Sequence, residues 1–565
     1  MKYSQLCEVY EKLESTTKRL EKTEILREFL LKLKHQDSQI IYLLKGRIFP
    51  DYSQKEMGIS EQLVIKALAK STGLQEKEIV KKWKSIGDLG KVAEETASHK
   101  SQKTIFSKEL TTEKVLENLK KLPELEGKGT VEKKLGLISE LLASSSPTEA
   151  KYIARTLLGD LRIGLGDGVL RDSIVWAFLD KENKEDFVLV QEAYDRATDF
   201  ALVFEKAKQG KEAIEEIGLE PGKPVKVMLA PKAESIKDAF ETVQVPCAIE
   251  FKYDGFRMMI TKDNQGVIKI FTRRLEEVTL QFPEVKEYIE KHIQGKNFIL
   301  DSEAVGFNPK TKKYMPFQDI SQRIKRKYDI EKVAKELPVE VNLFDILYYN
   351  SQSLIKKPFI ERRKLLEKIT SEKKWQIVLA KQIITSSEKE AEEFFQEAIK
   401  QGEEGIMIKS LQSPYKPGAR VGYMLKFKPD MNEFDLVITG AEYGTGKRAG
   451  WLTSFDASCQ DGDGNLLEIG KVSTGLKEKP EEGLSFQEVT EKLKPLITKI
   501  NGKHVQVKPE IVITVKYQDI QASPSYSSGF ALRFPRFSSL RPDRTQADIA
   551  SLEDIKKEFK KGNNK

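Results

Sequence analysis

Residues 247–260 read CAIEFKYDGFRMMI, two apolar runs joined by Lys252-Tyr253-Asp254-Gly255. β-Branched and aromatic residues bounded by a glycine turn predict a strand, with a lysine at the exit of CAIEF. Downstream, GVIKIFTRR, FILDSEAVGF, VEVNLFDILYY, GIMIKS and YMLKFKP read as further strands with amphipathic helices between several of them, which predicts a mixed α/β domain. Upstream, the proline- and glycine-rich PGKPVKVMLAPKA at 221–233 marks a change of pattern. Before it, to about residue 215, apolar residues recur at helical spacing, as in Leu26, Phe29, Leu30 and Leu33, which predicts an all-helical region. After Pro429 the strands DLVITGAEYG, SFDASCQ, LEIGKVSTG and EIVITVKYQDI predict a small β-barrel of the OB type with one helix near 485–499. The expected chain is thus multidomain α+β: an all-α part at 1–220, a mixed α/β part at 221–429 and an OB-fold barrel at 430–565. Its tail, KKEFKKGNNK, is expected to fray.

At 565 residues the chain is long enough for about three cores, and 39% hydrophobic with 32% charged residues excludes disordered and membrane-embedded classes. The start, MKYSQLCEVYEKLEST, is amphipathic and acidic, unlike a targeting segment, so a cytoplasmic protein with no membrane partner is expected. Three scattered cysteines and four histidines offer no zinc-ligand spacing, which leaves oxygen ligands for any metal. A net charge of +8 permits a polyanionic partner, although on charge alone a solvated Lys/Glu-rich surface is the better explanation.

Taken alone, Lys252-Tyr-Asp-Gly is an ordinary strand-to-turn exit. Its company changes the reading. Thr272-Arg273-Arg274, Asp301-Ser-Glu303, Phe344-Asp345, Glu404-Gly-Ile-Met-Ile-Lys409 and Lys426-Phe-Lys428 follow in order. This series resembles the motif set of the covalent nucleotidyltransferases: DNA ligases, RNA ligases and mRNA capping enzymes. Arg533-Phe-Pro-Arg-Phe537 and Arg541-Pro-Asp543-Arg544 resemble the C-terminal motif of the ATP-dependent DNA ligases of archaea and eukaryotes. The resemblance spans nearly the whole chain.

It implies that ATP is the donor and that Lys252 attacks its α-phosphate to form lysyl-AMP. The attacking amine must be neutral, whereas an unperturbed lysine titrates near about 10.4. Partial burial, Arg257, Lys426, Lys428 and a bound metal would all disfavour the ammonium. The resemblance further implies that Glu250 hydrogen-bonds the adenine and Phe344 stacks on it, with Arg273 and Glu303 near ribose and phosphate. Arg257, Arg420 and Lys426 would neutralise phosphates. Mg²⁺, with Mn²⁺ as an alternative, would be held by Glu404 and Glu303. Arg541, Asp543 and Arg544 would close over ATP from the barrel. The family commonly has lysine where Arg544 stands.

The same resemblance implies that 1–220 is a DNA-binding domain and 221–429 the adenylation domain, and that nicked duplex DNA is the substrate of a monomeric enzyme active in replication, repair and recombination. GDLRIGLGDGVL at 159–170 sets Arg162, Gly164 and Gly166 between helices, where they would meet backbone phosphates without reading sequence. Plain helix C-caps explain such glycines too. Gln102-Lys103-Thr104-Ile105-Phe106 loosely resembles a sliding-clamp-binding peptide, or is simply a helix-connecting loop. Competing classes are an RNA ligase or capping enzyme, against which the long helical region and RFPRF argue, and a non-catalytic DNA-binding protein, against which Lys252, Glu303 and Glu404 argue. A NAD-dependent ligase would carry cysteine-rich zinc modules.

Overall fold

The computed structural model describes residues 1–34, 37–53, 55–98, 109–125, 127, 129–315, 317–324, 326, 328–429, 431–445 and 448–563. They form two compact units, Met1–Glu392 with Ile406–Lys426, and Glu393–Gly405 with Phe427–Lys565. The clamp-like segment 102–106 lies outside the described residues. Among those described, no helix is long and apolar enough to cross a membrane.

In the first unit, helices follow one another from Tyr3–Glu14 to Lys211–Glu215 around one core. Leu26, Phe29, Leu30 and Leu33 all lie in it, because positions three and four apart share a helix face. The helix Pro147–Leu157 starts at a Ser146–Glu149 capping box and is buried along its length. Its Arg155 is therefore paired on two sides, with Glu14 at 2.9 Å and Asp88 at 2.7 Å.

The rest of this unit is built on two sheets. Their strands are β1 (Cys247–Lys252), β2 (Phe256–Lys262), β3 (Ile268–Thr272), β4 (Phe298–Gly306), β5 (Val339–Tyr349), β6 (Gln352–Ser353), β7 (Ile377–Leu379), β8 (Gln382–Thr385), β9 (Gly405–Ser410) and β10 (Met424–Phe427). One sheet has the order β10-β9-β1-β8, the other β3-β2-β4-β5-β6 with β7 parallel to β5. β1 and β4 are buried on both faces, which is why they read as nearly continuous apolar runs. β8 pairs antiparallel with β1 and sets Gln382 opposite Glu250.

The second unit is rich in strands: β11 (Asn432–Tyr443), β12 (Leu452–Gln460), β13 (Leu466–Val472), β14 (Ile497–Asn501), β15 (His504–Val507), β16 (Val512–Tyr517), β17 (Asp519–Ala522), β18 (Phe530–Arg533) and β19 (Arg536–Leu540). β11 pairs with β12 on one side and with β16 and then β15 on the other. At this change of partner stands Gly440, where a Cβ would meet the Asp456 carboxylate at 2.3 Å.

Two local expectations are corrected. The helix expected near 485–499 ends at Leu493, because Pro495 cannot continue it; a 3-10 turn and β14 follow. Of the tail expected to fray, 556–565, the described part lies in a helix that runs from Leu552 to Asn563, and 564–565 lie outside the described residues. Ile555 is fully buried and Phe559 packs edge-on against Phe530 at 5.1 Å, so an apolar stripe holds the helix down. Ser551 and Asp554 cap its start reciprocally.

Candidate active site

Glu250 and Lys252 stand two residues apart on β1 and so project from the same side of the strand. Glu250 is buried and fully engaged. Its carboxylate accepts from Lys409 of β9 and from Gln382 Nε2 at 2.8 Å, with Arg363 at 3.5 Å. Burying such a charge is tolerable only with partners of this kind. Lys252, at the strand's exit, is half-buried. The next residues turn sharply into β2, and the turn explains the glycine of the motif. A Cβ on Gly255 would lie 2.3 Å from the carbonyl oxygen of Ala304 and 3.0 Å from Glu303 Cγ.

β2, β4 and β5 supply the second group. Arg257 sits opposite Glu303, which in turn faces Asn342. The Arg257 guanidinium donates to both oxygens of the fully buried Asp301, at 2.8 and 2.5 Å, to Met228 O at 2.8 Å and to the Tyr415 hydroxyl at 3.1 Å. Four of its five N–H donors are thus committed inside the protein. Burial works against the guanidinium charge, but the Asp301 carboxylate outweighs it and raises the pKa further. Tyr415 also donates to Asp301, at 2.8 Å, and burial beside that carboxylate pushes its hydroxyl well above the usual range.

Phe344 of β5 is half-buried between two cations, Lys409 Nζ at 4.8 Å and the Arg257 guanidinium at 5.4 Å from its ring centre. Its neighbour Asp345 is clamped by Arg362 at 2.7 and 2.9 Å. A pocket opens here, lined by Met228, Arg257, Phe344, Lys409, Tyr415 and Met424. Asp345, Arg362 and Ser413 line it as well, so apolar and charged side chains are mixed, and its volume of about 10 Å³ is that of a single water.

The other residues singled out by sequence fall in several places. Arg273 is exposed on the turn after β3. Arg420 is exposed and its backbone bridges to Leu229, while Lys426 is half-buried, its N–H donating to Pro231 O and its carbonyl accepting from Ala233 N–H. The segment 228–233 therefore organises Arg257, Arg420 and Lys426 together. In the second unit, Lys428 forms an ion pair with Glu404. Also there, Arg541 donates to Asp435 at 2.9 Å and to Asp543 at 2.9 and 2.7 Å, and Arg544 lies 3.0 Å from the same Asp435. The Arg541 bond holds Asp543 down at about 2. In the helical region, Arg162 and Gly164 have φ of 58° and 61°, and Gly166 is the N-cap of the helix Asp167–Phe178.

Sequence reading gave no role to Lys409, Asp301, Tyr415 or the Asp345–Arg362 pair. A signal existed for two of them. Carboxylates inside otherwise apolar strands, as in FILDSE and NLFDIL, must find buried partners. Their partners lie 44 and 17 positions away and could not be named without the fold.

A helical N-terminal region, a central part with a lysine at a strand exit and a strand-rich second unit define the class first: a multidomain α+β protein. Comparison with known proteins then resolves it. Residues 2–175 match the model "DNA ligase N terminus", 227–428 "ATP dependent DNA ligase domain" and 448–544 "ATP dependent DNA ligase C terminal region". The chain is 45% identical over 560 residues to a DNA ligase of Nanoarchaeum equitans, covering 98% of each chain. It is 41% identical over 560 residues to a DNA ligase of Thermococcus fumicolans, again covering 98% of each to within the same span. The solved structure named Pmar-Lig_Pre shares the fold, with TM-score 0.55 and 17% identity over 95% of this chain and 98% of that one. The chain belongs to the ATP-dependent DNA ligase family.

Proposed function

We propose that this enzyme seals nicks in duplex DNA with Lys252 as its nucleophile. Lys252 Nζ attacks the α-phosphorus of ATP, the bond to the β-phosphate oxygen breaks, and pyrophosphate leaves. The 5′-phosphate oxygen at the nick then displaces the lysine, and the 3′-hydroxyl displaces AMP to complete the phosphodiester. The observation that carries the assignment is the placement of Lys252 beside the fully engaged Glu250, on a strand linked to Phe344 through Lys409, which donates to Glu250 and lies 4.8 Å from the Phe344 ring centre.

Adenine would lie against Phe344, near Glu250, once the side chains there part to admit it. Arg273, Arg420, Lys426, Lys428 and the remaining N–H of Arg257 would meet ribose and phosphates. Preorganised donors of this kind stabilise charge that develops in the transition state. A hard cation such as Mg²⁺ fits the donor set. Among the described residues no group of three or more His, Cys, Asp or Glu side chains is assembled. Single carboxylates, Glu303 and Glu404, would thus be supplemented by phosphate and water oxygens, the arrangement Mg²⁺ favours. When bound, the ion neutralises phosphate charge.

We read 1–220 as the DNA-binding domain, 221–429 as the adenylation domain and 430–565 as an OB-fold domain, whose Arg541, Asp543 and Arg544 would exchange Asp435 for phosphate on closure. Arg162, Gly164 and Gly166 would take DNA phosphates. Incubation with α-labelled ATP and Mg²⁺, followed by a chase with nicked DNA, tests the core of this reading. Wild type should acquire label and lose it as the nick closes, whereas Lys252→Arg should stay unlabelled; a labelled Lys252→Arg protein refutes the assignment.

A further inference from the structure

The loop 159–166 alternates. Leu161 and Ile163 are buried, while Arg162, Gly164 and Gly166 are exposed. Beneath it lies Lys22, on the helix Arg19–Lys32, with only 6% of its surface exposed. Its ammonium donates to the carbonyl oxygens of Ile163 and of Gly164, the latter at 3.2 Å. A lysine buried this deeply is unusual, and it is spent on a surface loop.

The consequence follows from peptide geometry. Cis peptides among the described residues are confined to Val245-Pro246, so the bonds 163–164 and 164–165 are trans. In a planar trans peptide the N–H points opposite to the C=O. Two successive carbonyls drawn inward to Lys22 therefore turn the N–H groups of Gly164 and Leu165 away from the buried ammonium. Successive N–H groups presented this way form a concavity that suits an anion. Glycine favours the arrangement at 164: its φ is +61°, and a Cβ would lie 2.7 Å from Lys22 Nζ and push the ammonium aside.

We propose that Lys22 is a positioning residue that aims the backbone N–H groups of Gly164 and Leu165 at a phosphate of the nicked DNA. The proposal rests on the assignment of the 159–166 loop to DNA backbone binding. It requires no contact between Lys22 and DNA. Lys22 holds the carbonyls, and the loop holds the phosphate.

The test compares three full-length variants. Lys22→Met removes the ammonium while keeping the stem. Lys208→Met is the matched control, because Lys208 also donates to a backbone carbonyl in the helical region, that of Leu33. Arg162→Ala probes the loop itself. Each is assayed for thermal midpoint, for the rate of self-adenylation with ATP, and for affinity toward a fluorescent nicked duplex at fixed salt. Lys22→Met should adenylate like wild type and bind nicked DNA about tenfold more weakly, the size expected when a hydrogen bond to a charged group is lost. Lys208→Met should lose thermal stability and keep its DNA affinity. If Lys22→Met binds DNA like wild type while Arg162→Ala is weakened, Lys22 has no positioning role and the loop assignment survives. Unchanged binding by Arg162→Ala as well removes the loop assignment and the proposal with it. Equal weakening in Lys208→Met, or a parallel loss of adenylation in Lys22→Met, reduces Lys22 to a structural residue and overturns the proposal.

Discussion

Replacing Asp301 with alanine should damage this enzyme more than its distance from Lys252 in sequence suggests. Asp301 is fully buried and accepts from Arg257 twice and from Tyr415 once. The Arg257 side chain is itself only 18% exposed, so removal of the carboxylate strands a guanidinium largely out of water. Leaving one partner of a buried pair uncompensated costs about 3–5 kcal/mol, far above the roughly 0–1 kcal/mol of an exposed pair. Arg257 also flanks Phe344 and holds Met228, so the pocket loosens as its support does. The measurement is a double-mutant cycle in urea. Asp301→Ala and Arg257→Met are compared singly and together, with adenylation rate measured alongside. The double variant should recover about 2 kcal/mol or more relative to the sum of the singles, because it leaves no charge behind. An additive cycle, or a single-variant loss below about 1 kcal/mol, would refute the claim that this pair holds the pocket.

Two further outcomes are expected. Gly255→Ala places a Cβ 2.3 Å from the Ala304 carbonyl and must push β2 and β4 apart, so adenylation should fall by about 100-fold; Gly266→Ala, whose added Cβ meets nothing within 4 Å, should cost about 1 kcal/mol of stability and little activity. Equal activity in the two alanine variants would show that the close approach is not what selects the motif glycine. The third concerns pH. Burial raises the Glu14 carboxyl, but hydrogen bonds from Arg155, Tyr152 and Lys151 outweigh it and hold it at about 2, below its ordinary 4.5. A depressed carboxyl contributes stability that is fully present above the unfolded value and is lost as pH falls through the folded one. The gap in thermal midpoint between wild type and Glu14→Gln should therefore be widest near neutrality and shrink from about pH 4.5 toward 2. A gap independent of pH would rule Glu14 out as the acid-sensitive group.

The sequence alone determined which residues form elements and which could carry chemistry. Periodicity marked the helical region, since Leu26, Phe29, Leu30 and Leu33 can share a face only in a helix. Composition marked β1, β4 and β5, whose burial on both faces demands apolar runs. Motif order singled out Lys252, Glu303 and Phe344 because such spacing is improbable by chance. Local pattern failed at the termini of elements. Pro495 shortened a helix, and the tail became helical only because Ile555 and Phe559 found a core. Tertiary structure alone decided the partners. That Glu250 belongs to Lys409 across 159 positions, that Asp301 neutralises Arg257, and that Lys22 lies under the 159–166 loop are facts of strand pairing and helix packing. Burial makes each of these pairings compulsory, and burial is a property of the folded chain rather than of any segment of it.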